Sequence, residues 1–524
     1  MGALTLKVFS DELREWEFIE GEGIDPTDSF GVSLRLSIRE DQIFLAEPSE
    51  PSTPWLTDRG RLFFDGMFDK NIKTTNWGYF FESIVESMYF VDHLNLQRKT
   101  ASSFYIVFEN LSLETLNMLY ILEQSCSLIK LRKAEESKIS ADLESQYQLN
   151  DSTQKSKLQM STLGILLNTN TRYEGYVLNL SLRQRFFKGD FKLMSVGSML
   201  DLTFPIYNLG SNMSVFKSIG EGTHLACQDL KTSDFPFLIT NTELFKRSDF
   251  TTVAKILKYT NVVTTAWNGL NVLHHNIGST GISSLNNFLP LSQEDLQNFF
   301  GLHFINVSLA SIPNFKKLTE LQLLNIFTPD YKLNYRVFVD QGQNASINQE
   351  PYNNLKLKAK VYNNYFHLPA SLFLEDSETY INTQGLVKRT TKLINFKKEA
   401  KSNWQITRKF YSKTKNLLFF NNVKDNKLIS FDSVNLFNFK NYANFQFYAS
   451  QSLTSLSSYL TKQNKPLIKS TSTLKSPKVK LYNTKLKGWL DDFFSGSGKD
   501  SFSYNSSVLT NCSKITRSSS TNFF

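Results

Sequence analysis

Apolar and polar residues alternate along Phe30-Gly31-Val32-Ser33-Leu34-Arg35-Leu36-Ser37-Ile38, the period of two that predicts a half-buried strand. Residues 1–66 therefore read as a β-rich lead-in, with a Pro/Ser-rich loop over Glu47 to Pro54. Beyond about residue 74 the pattern changes to helices alternating with short apolar runs. The runs are Phe104–Phe108, Leu163–Leu167, Phe191–Val196, Phe235–Ile239, His303–Val307 and Tyr335–Val339. Short all-apolar strands separated by helices predict a doubly wound, mostly parallel α/β sheet with helices on both faces. This α/β region is placed at 67–412, interrupted by a polar segment over about 133–157 that reads as a surface insertion. A Phe/Asn/Lys-rich extension (413–450) follows, and then a Ser/Thr/Lys-rich tail (451–524). The tail has too little apolar content to order itself without a partner.

The clearest unit covers 163–197. Strand Leu163–Leu167 runs into Asn168-Thr169-Asn170-Thr171, where Thr171 and Glu174 have capping-box spacing. Tyr173, Tyr176, Val177, Leu180 and Phe187 are expected on one helical face, with Arg183, Arg185 and Lys188 at the negative end of the helix dipole. Gly189 can take the left-handed conformation that ends the helix before the next strand.

Composition narrows the function classes. The 524 residues carry 58 Lys+Arg against 49 Asp+Glu, a net charge of +9. Spread over this length, the surplus does not make a nucleic-acid binder, which gathers its charge on one face. No apolar stretch is long enough for a membrane span. Cys126, Cys227 and Cys512 are scattered, so neither a disulfide framework nor a four-cysteine metal site is expected. That usage suits a reducing compartment. The 44 Phe against 13 Pro and 23 Gly, with abundant Asn and Lys, fits an AT-rich coding sequence. Glu12, Glu15, Glu17, Glu20 and Glu22 make the N-terminus the reverse of an Arg-rich import presequence. Either the protein is made where it works or its presequence has been removed.

Candidate chemistry is sparse. Asn168-Thr169-Asn170 lies where an α/β sheet would bind a phosphate, but the absence of glycine between Asn168 and Glu174 favours a structural turn. His274-His275 are adjacent and point apart, so a shared metal is not expected. One packed and one solvated imidazole is the reading. Glu375, Asp376 and Glu378 lie among Ser377 and Thr379 and read as a solvated turn. Cys227 with His224 nearby gives little support for a catalytic dyad. Trp267, opening a helix-like segment, and Trp404 are expected to be largely buried and structural.

Several segments, read in order, resemble one family. Leu166-Leu167-Asn168-Thr169-Asn170-Thr171-Arg172-Tyr173-Glu174 resembles the family's "LVGTNPRFE", and Asn179, Arg183 and Lys188 continue that helix. Ser195-Val196-Gly197-Ser198-Met199-Leu200-Asp201-Leu202-Thr203 and Leu209-Gly210 are similar to its next turn. Trp267-Asn268-Gly269-Leu270-Asn271-Val272-Leu273-His274 resembles "WNVLNILH". Leu368-Pro369, Glu375 and Thr379-Tyr380-Ile381-Asn382-Thr383-Gln384-Gly385 resemble a later motif, with Trp404 and Arg408 in the helix that follows. The early segment from Arg14 to Gly66 also fits. The family is the large (seventy-five-kilodalton type) iron–sulfur subunit of respiratory complex I, and the resemblance is to its C-terminal, molybdopterin-oxidoreductase-like half.

The resemblance implies a molybdopterin-oxidoreductase-like α/β fold and a structural role in the peripheral arm of mitochondrial complex I, supporting NADH-to-ubiquinone electron transfer coupled to proton pumping. It implies no catalytic or metal-binding residue and no cofactor held by this chain. Iron–sulfur clusters are expected in a separate cluster-bearing N-terminal fragment and in neighbouring subunits, as if the gene were split. The location implied is the matrix side of the mitochondrial inner membrane, with mitochondrial encoding an open alternative and no direct membrane span. Asn168, Thr169, Asn170, Asn382, Gln384 and Gly385 correspond to a vestigial cofactor pocket. Asn168 stands where the family often has Gly, Thr171 where it has Pro and Leu386 where it has Arg. The rival readings are an active molybdopterin-dependent oxidoreductase and a binding module that uses its basic tail.

Overall fold

In the computed structural model the described residues are 14–50, 55–66, parts of 77–88, 103–134 without 127, 155–247, and parts of 249–262. They continue with 269–285, 288–292, 295, 299–305, 323–328, 366–395 without 372, 400–425 and parts of 506–515. The expected strand Tyr335–Val339, Trp267, most of the 133–157 insertion and nearly all of 426–524 lie outside them.

The chain opens with strands β1 (Ile19–Ile24), β2 (Ser33–Arg39) and β3 (Gln42–Pro48), an antiparallel sheet in that order. Leu34, Leu36 and Ile38 of β2 are buried while Arg35 faces out, as the alternation predicts. Glu40 and Asp41, both at positive φ, make the two-residue turn that matches strand twist. Strand β3 extends to Pro48, so the loop expected from Glu47 begins later. Helix α1 (Asp58–Leu62) follows, capped by Thr57, whose Oγ1 accepts the N–H of Gly60 at 3.1 Å.

Next come β4 (Ser103–Phe108), α2 (Leu113–Ser125) and β5 (Ile129–Lys133), then α3 (Lys155–Met160) and β6 (Leu163–Leu167). Lys133, the expected start of the polar insertion, is a buried residue of β5. After β6 the chain forms α4 (Thr171–Glu174), α5 (Tyr176–Phe187), β7 (Lys192–Val196) and β8 (Tyr207–Gly210). It continues through α6 (Met213–Gly220), α7 (Ala226–Thr232), β9 (Phe237–Asn241), β10 (Leu270–Leu273) and α8 (Ser279–Leu285). The last elements are β11 (Phe299–Ile305), β12 (Leu323–Thr328), β13 (Phe366–Pro369), β14 (Thr379–Ile381), β15 (Val387–Arg389) and α9 (Asn403–Asp425). Helix α9 runs continuously across position 412.

Two five-stranded sheets, each wholly parallel, form the α/β body. One has the order β10-β9-β6-β7-β8 and the other β13-β12-β11-β4-β5. In the first sheet Leu163, Ile165 and Leu167 join one core while Leu166, Leu193 and Phe237 join another on the opposite face. Both faces are thus covered, as in a doubly wound sheet. The second sheet packs Phe104, Ile106 and Phe108 with Leu116, Leu119 and Leu122 of α2 and Ile406, Phe410 and Tyr411 of α9. Trp404 packs against the edge of this core, partly buried, with Arg408 5.1 Å from its ring.

The unit after β6 differs from its sequence reading in two ways. The expected single helix is broken at Gly175 (φ −158°, ψ 69°) into α4 and α5, and the cap is Asn170, not Thr171. Its buried side is Tyr176, Leu178, Asn179, Leu182 and Arg185, while Phe187 is exposed. Arg185 is buried because its guanidinium donates to the carbonyls of Ser161 (3.0 Å) and Gly189 (2.5 Å). Gly189 ends the helix at φ +85° as expected.

The three-stranded sheet completes its core with residues from far along the chain. Ile24, Leu34, Leu36, Ile38, Phe63 and Phe64 pack with Ile277, Phe373, Leu374, Tyr380 and Ile394. The β14–β15 hairpin thus belongs to the same module as the N-terminal strands. Among the described residues no helix is long and apolar enough to cross a membrane.

Candidate functional site

In an open α/β sheet the ligand crevice lies at the carboxyl ends of the strands, where the order of winding reverses. In the first sheet that point is between β6 and β9, since the chain winds outward from β6 to β7 and β8, then back to β9 and β10. Asn168 and Asn241 stand at the two carboxyl ends.

These two side chains meet across the crevice, Asn168 Nδ2 donating to Asn241 Oδ1 at 3.5 Å. Asn241 Nδ2 donates to Glu174 Oε1 at 3.3 Å, and Glu174 Oε2 accepts the backbone N–H of Asn170 at 3.0 Å. Asn170 Oδ1 in turn accepts the N–H of Arg172 at 3.2 Å. Thr169 Oγ1 donates to the carbonyl of Leu167 and Thr171 Oγ1 to Asn179 Oδ1, each at 3.0 Å. Asn168 itself sits at φ +55°, a conformation glycine takes without strain and asparagine tolerates.

Asn382, Gln384 and Gly385 sit on the same carboxyl rim, near the end of β10. Asn382 is fully buried. Its Oδ1 accepts the N–H groups of Gln384 (3.0 Å) and Leu386 (2.8 Å), and its Nδ2 donates to the carbonyl of Phe30 (2.9 Å). Gly385 takes φ +76° in this turn. Thr383 Oγ1 donates to Val272 O and accepts the N–H of His274, both at 3.3 Å, anchoring the turn to β10. Leu386, where the resemblance places Arg, is exposed.

An anionic phosphate is a poor match for this rim. The N–H groups of Asn170 and Arg172, which could receive it, are already bonded to carboxylate and amide oxygens of the protein. The Glu174 side chain, 1% exposed, would lie against the added negative charge. The sequence missed Asn241 and the bridging role of Glu174. A polar residue ending the strand Phe237–Asn241 was the available signal, but strand order is needed to use it.

The other candidates resolve differently from their sequence readings. The segment leading to His274 is strand β10 and not helix. His274 is buried, and His275 is only 20% exposed, its Nδ1 4.0 Å from Glu174 Oε1, so neither imidazole is the solvated one expected. His224 Nδ1 accepts the N–H of Ala226 and Cys227 Sγ donates to the carbonyl of Ile219, so each has a structural partner. Among the described residues no three His, Cys, Asp or Glu side chains are grouped as a metal site.

The supposed solvated turn is the largest correction. Glu375 and Glu378 are 2% and 4% exposed. Glu378 accepts hydrogen bonds from Tyr380 Oη and, at 3.3 Å, from Ser112 Oγ, while Glu114 Oε2 accepts the N–H of Thr379 at 3.2 Å. Burial, then the nearby Asp376, push the Glu378 carboxyl up to about 8. The turn reads as polar in sequence because the contacts that bury it come from α2, 265 residues earlier.

A second acidic cluster went unnoticed. Asp25 and Asp28 are buried in the loop after β1, where Asp25 Oδ1 accepts from Thr27 and Asp28 Oδ1 from the N–H groups of Phe30 (3.0 Å) and Gly31 (3.1 Å). Arg59 donates to the carbonyl of Thr27. Burial, then Asp25, push the Asp28 carboxyl up to about 8.

Residues 97–413 match the family model described as molybdopterin oxidoreductase. The 75 kDa subunit of NADH-ubiquinone oxidoreductase from Reclinomonas americana is 28% identical, over 78% of this chain and 59% of its own length. The mitochondrial NADH dehydrogenase [ubiquinone] iron-sulfur protein 1 of Solanum tuberosum is 26% identical over 78% of this chain and 53% of its own length. The mitochondrial 78 kDa subunit of NADH-ubiquinone oxidoreductase from Candida albicans is 23% identical, over 78% and 54%. The chain thus spans little more than half the length of the curated relatives it matches.

Proposed function

Because the chain belongs to the molybdopterin oxidoreductase family, and because the relatives it resembles are complex I subunits, we propose that it is a structural subunit of the peripheral arm of respiratory complex I. It corresponds to the C-terminal half of the large iron–sulfur subunit. A separate chain carries the cluster-bearing N-terminal half, and the iron–sulfur clusters reside in that partner and in neighbouring subunits. The arm lies on the matrix side of the mitochondrial inner membrane, where NADH-to-ubiquinone electron transfer is coupled to proton pumping.

The observation that carries the non-catalytic part of this reading is Glu174. Its buried carboxylate joins Asn170 and Asn241 across the winding reversal, so the crevice does not fit the pterin phosphate for which the family is named. No step is routed through that group. Asn168 instead ties β6 to β9, while Asn382 and its neighbour Thr383 tie the hairpin turn to the N-terminal module and to β10. A rigid frame of this kind suits a subunit that fixes the separation of redox centres held by others.

Native-gel fractionation of mitochondrial membranes with protein identification tests the assignment. The chain is expected to co-migrate with the NADH-oxidising arm and to carry no molybdenum, tungsten or iron near one equivalent when isolated. Migration apart from that arm, or a stoichiometric metal, would overturn it.

A further inference from the structure

The N-terminal module touches both α/β sheets, and each junction is built around a buried carboxyl group close to other carboxyl groups. At the first junction the loop carrying Asp25 and Asp28 meets α5 through Tyr176. Asp28 is 7% exposed, and its Oδ2 and the Tyr176 hydroxyl are both buried without a hydrogen-bond partner among the described residues. Burial, then the charges of Asp28 and Asp25, push the Tyr176 hydroxyl up. The Arg59 charge partly offsets the rise at Asp28, and the Arg61 charge that at Tyr176. At the second junction Glu378 and Tyr380 of the hairpin segment meet Ser112 and Glu114 at the start of α2. Asp376 adds a third carboxyl, and Lys392 is the cation acting on it.

We propose that the N-terminal module is held to the two α/β sheets by two proton-dependent latches, one at Asp28 and one at Glu378, which are closed while each carboxyl keeps its proton and loosen as the pH rises. The geometry requires this of a crowded, buried carboxyl. Ionised, Asp28 leaves a desolvated charge beside Asp25, and Glu378 leaves one beside Asp376 and Glu114. Protonated, Asp28 no longer sets a second buried charge beside Asp25, and the Glu378 cluster sheds one of its like charges.

The direction follows from linkage. Each carboxyl titrates near 8 in the closed module and at an ordinary carboxylate value of about 4 once released to water. The closed form therefore binds the proton more tightly. Opening at each latch becomes more favourable by up to about tenfold per pH unit between those values and levels off above the higher one.

Hydrogen–deuterium exchange of the full chain between pH 6 and 9, corrected for the intrinsic pH dependence of amide exchange, reads this directly. Peptides covering 22–32 and 373–394 are expected to lose protection by up to about tenfold per pH unit up to about pH 8. Those covering β6 and β9 serve as the reference and should not. Asp28→Asn should flatten the first response and Glu378→Gln the second, because each amide imitates the protonated carboxyl. Where a variant does not fold, the infrared band of protonated carboxyl groups in the unsubstituted chain gives the same information. It should be present at pH 7 and lost by pH 9. A pH-independent protection pattern, an unchanged slope in both variants, or no protonated carboxyl band at pH 7 would overturn the proposal.

Discussion

Asn382 and Phe30, 352 residues apart in the chain, are joined by a hydrogen bond from the Asn382 side-chain amide to the Phe30 carbonyl at 2.9 Å. The same side chain accepts two backbone N–H groups of its own turn, so one residue closes the hairpin and fastens it to the N-terminal sheet. Asn382→Ala leaves the buried Phe30 carbonyl and two partly buried amides without their partner. A loss of about 3 kcal/mol is expected, given roughly 1–3 kcal/mol for each buried group left unsatisfied. Chemical unfolding at neutral pH measures it.

Arg185 holds the end of α5 by bonding three carbonyls, those of Ser161, Gly189 and Asp190. Arg185→Ala should cost about 2–4 kcal/mol, since its charge-assisted bonds, one of them to the buried Ser161 carbonyl, are lost together. Arg185→Lys should recover only part, because an ammonium is a point donor without the planar fork. Thermal unfolding of the three proteins side by side separates these outcomes.

Gly164 is the second residue of β6 and lies between the Phe237 ring and the Leu193 side chain. A methyl group there would come within 2.5 Å of Phe237 Cζ and 2.8 Å of Leu193 Cδ1, and Phe237 is itself stacked on Phe191 at 6.0 Å. Gly164→Ala is expected to destabilise by about 1–3 kcal/mol through overpacking, despite alanine's lower unfolded-state entropy. A higher midpoint in urea would contradict this packing.

His303 is buried in β11 between Phe104 (6.0 Å) and Phe410 (5.6 Å), and burial holds its imidazole down to about 3. The unfolded chain takes up the proton near the ordinary value of about 6.5. The native state therefore binds fewer protons between the two values, and stability falls as pH drops through that window. His303→Leu removes the effect. Relative to its difference at pH 7, the variant should gain roughly 2.5 kcal/mol on the parent at pH 4.5. Urea titrations at the two pH values give the comparison.

Much of the frame was legible in the sequence because burial on both faces writes itself as an unbroken apolar run. Leu163–Leu167 and Phe104–Phe108 are strands for that reason. What was illegible depended on pairing between distant segments. The partnership of Asn168 with Asn241 requires knowing that β6 and β9 are neighbours. Glu378 looked solvated because Ser377 and Thr379 flank it, while the residues that enclose it lie on α2. The break at Gly175 was hidden by the helical pattern on either side, and its cause is spatial. A side chain there would press on Phe30 and Leu273.

The shared core of the N-terminal sheet has a consequence for how the protein is made. Phe63 and Phe64 leave the ribosome early, but Phe373, Leu374, Tyr380 and Ile394, which complete their core, follow some three hundred residues later. At synthesis rates of roughly 5–20 residues per second, that interval is on the order of 15–60 s. The module translated early thus closes late, and until then its apolar strands must wait on the nascent chain with part of their shared core still unmade.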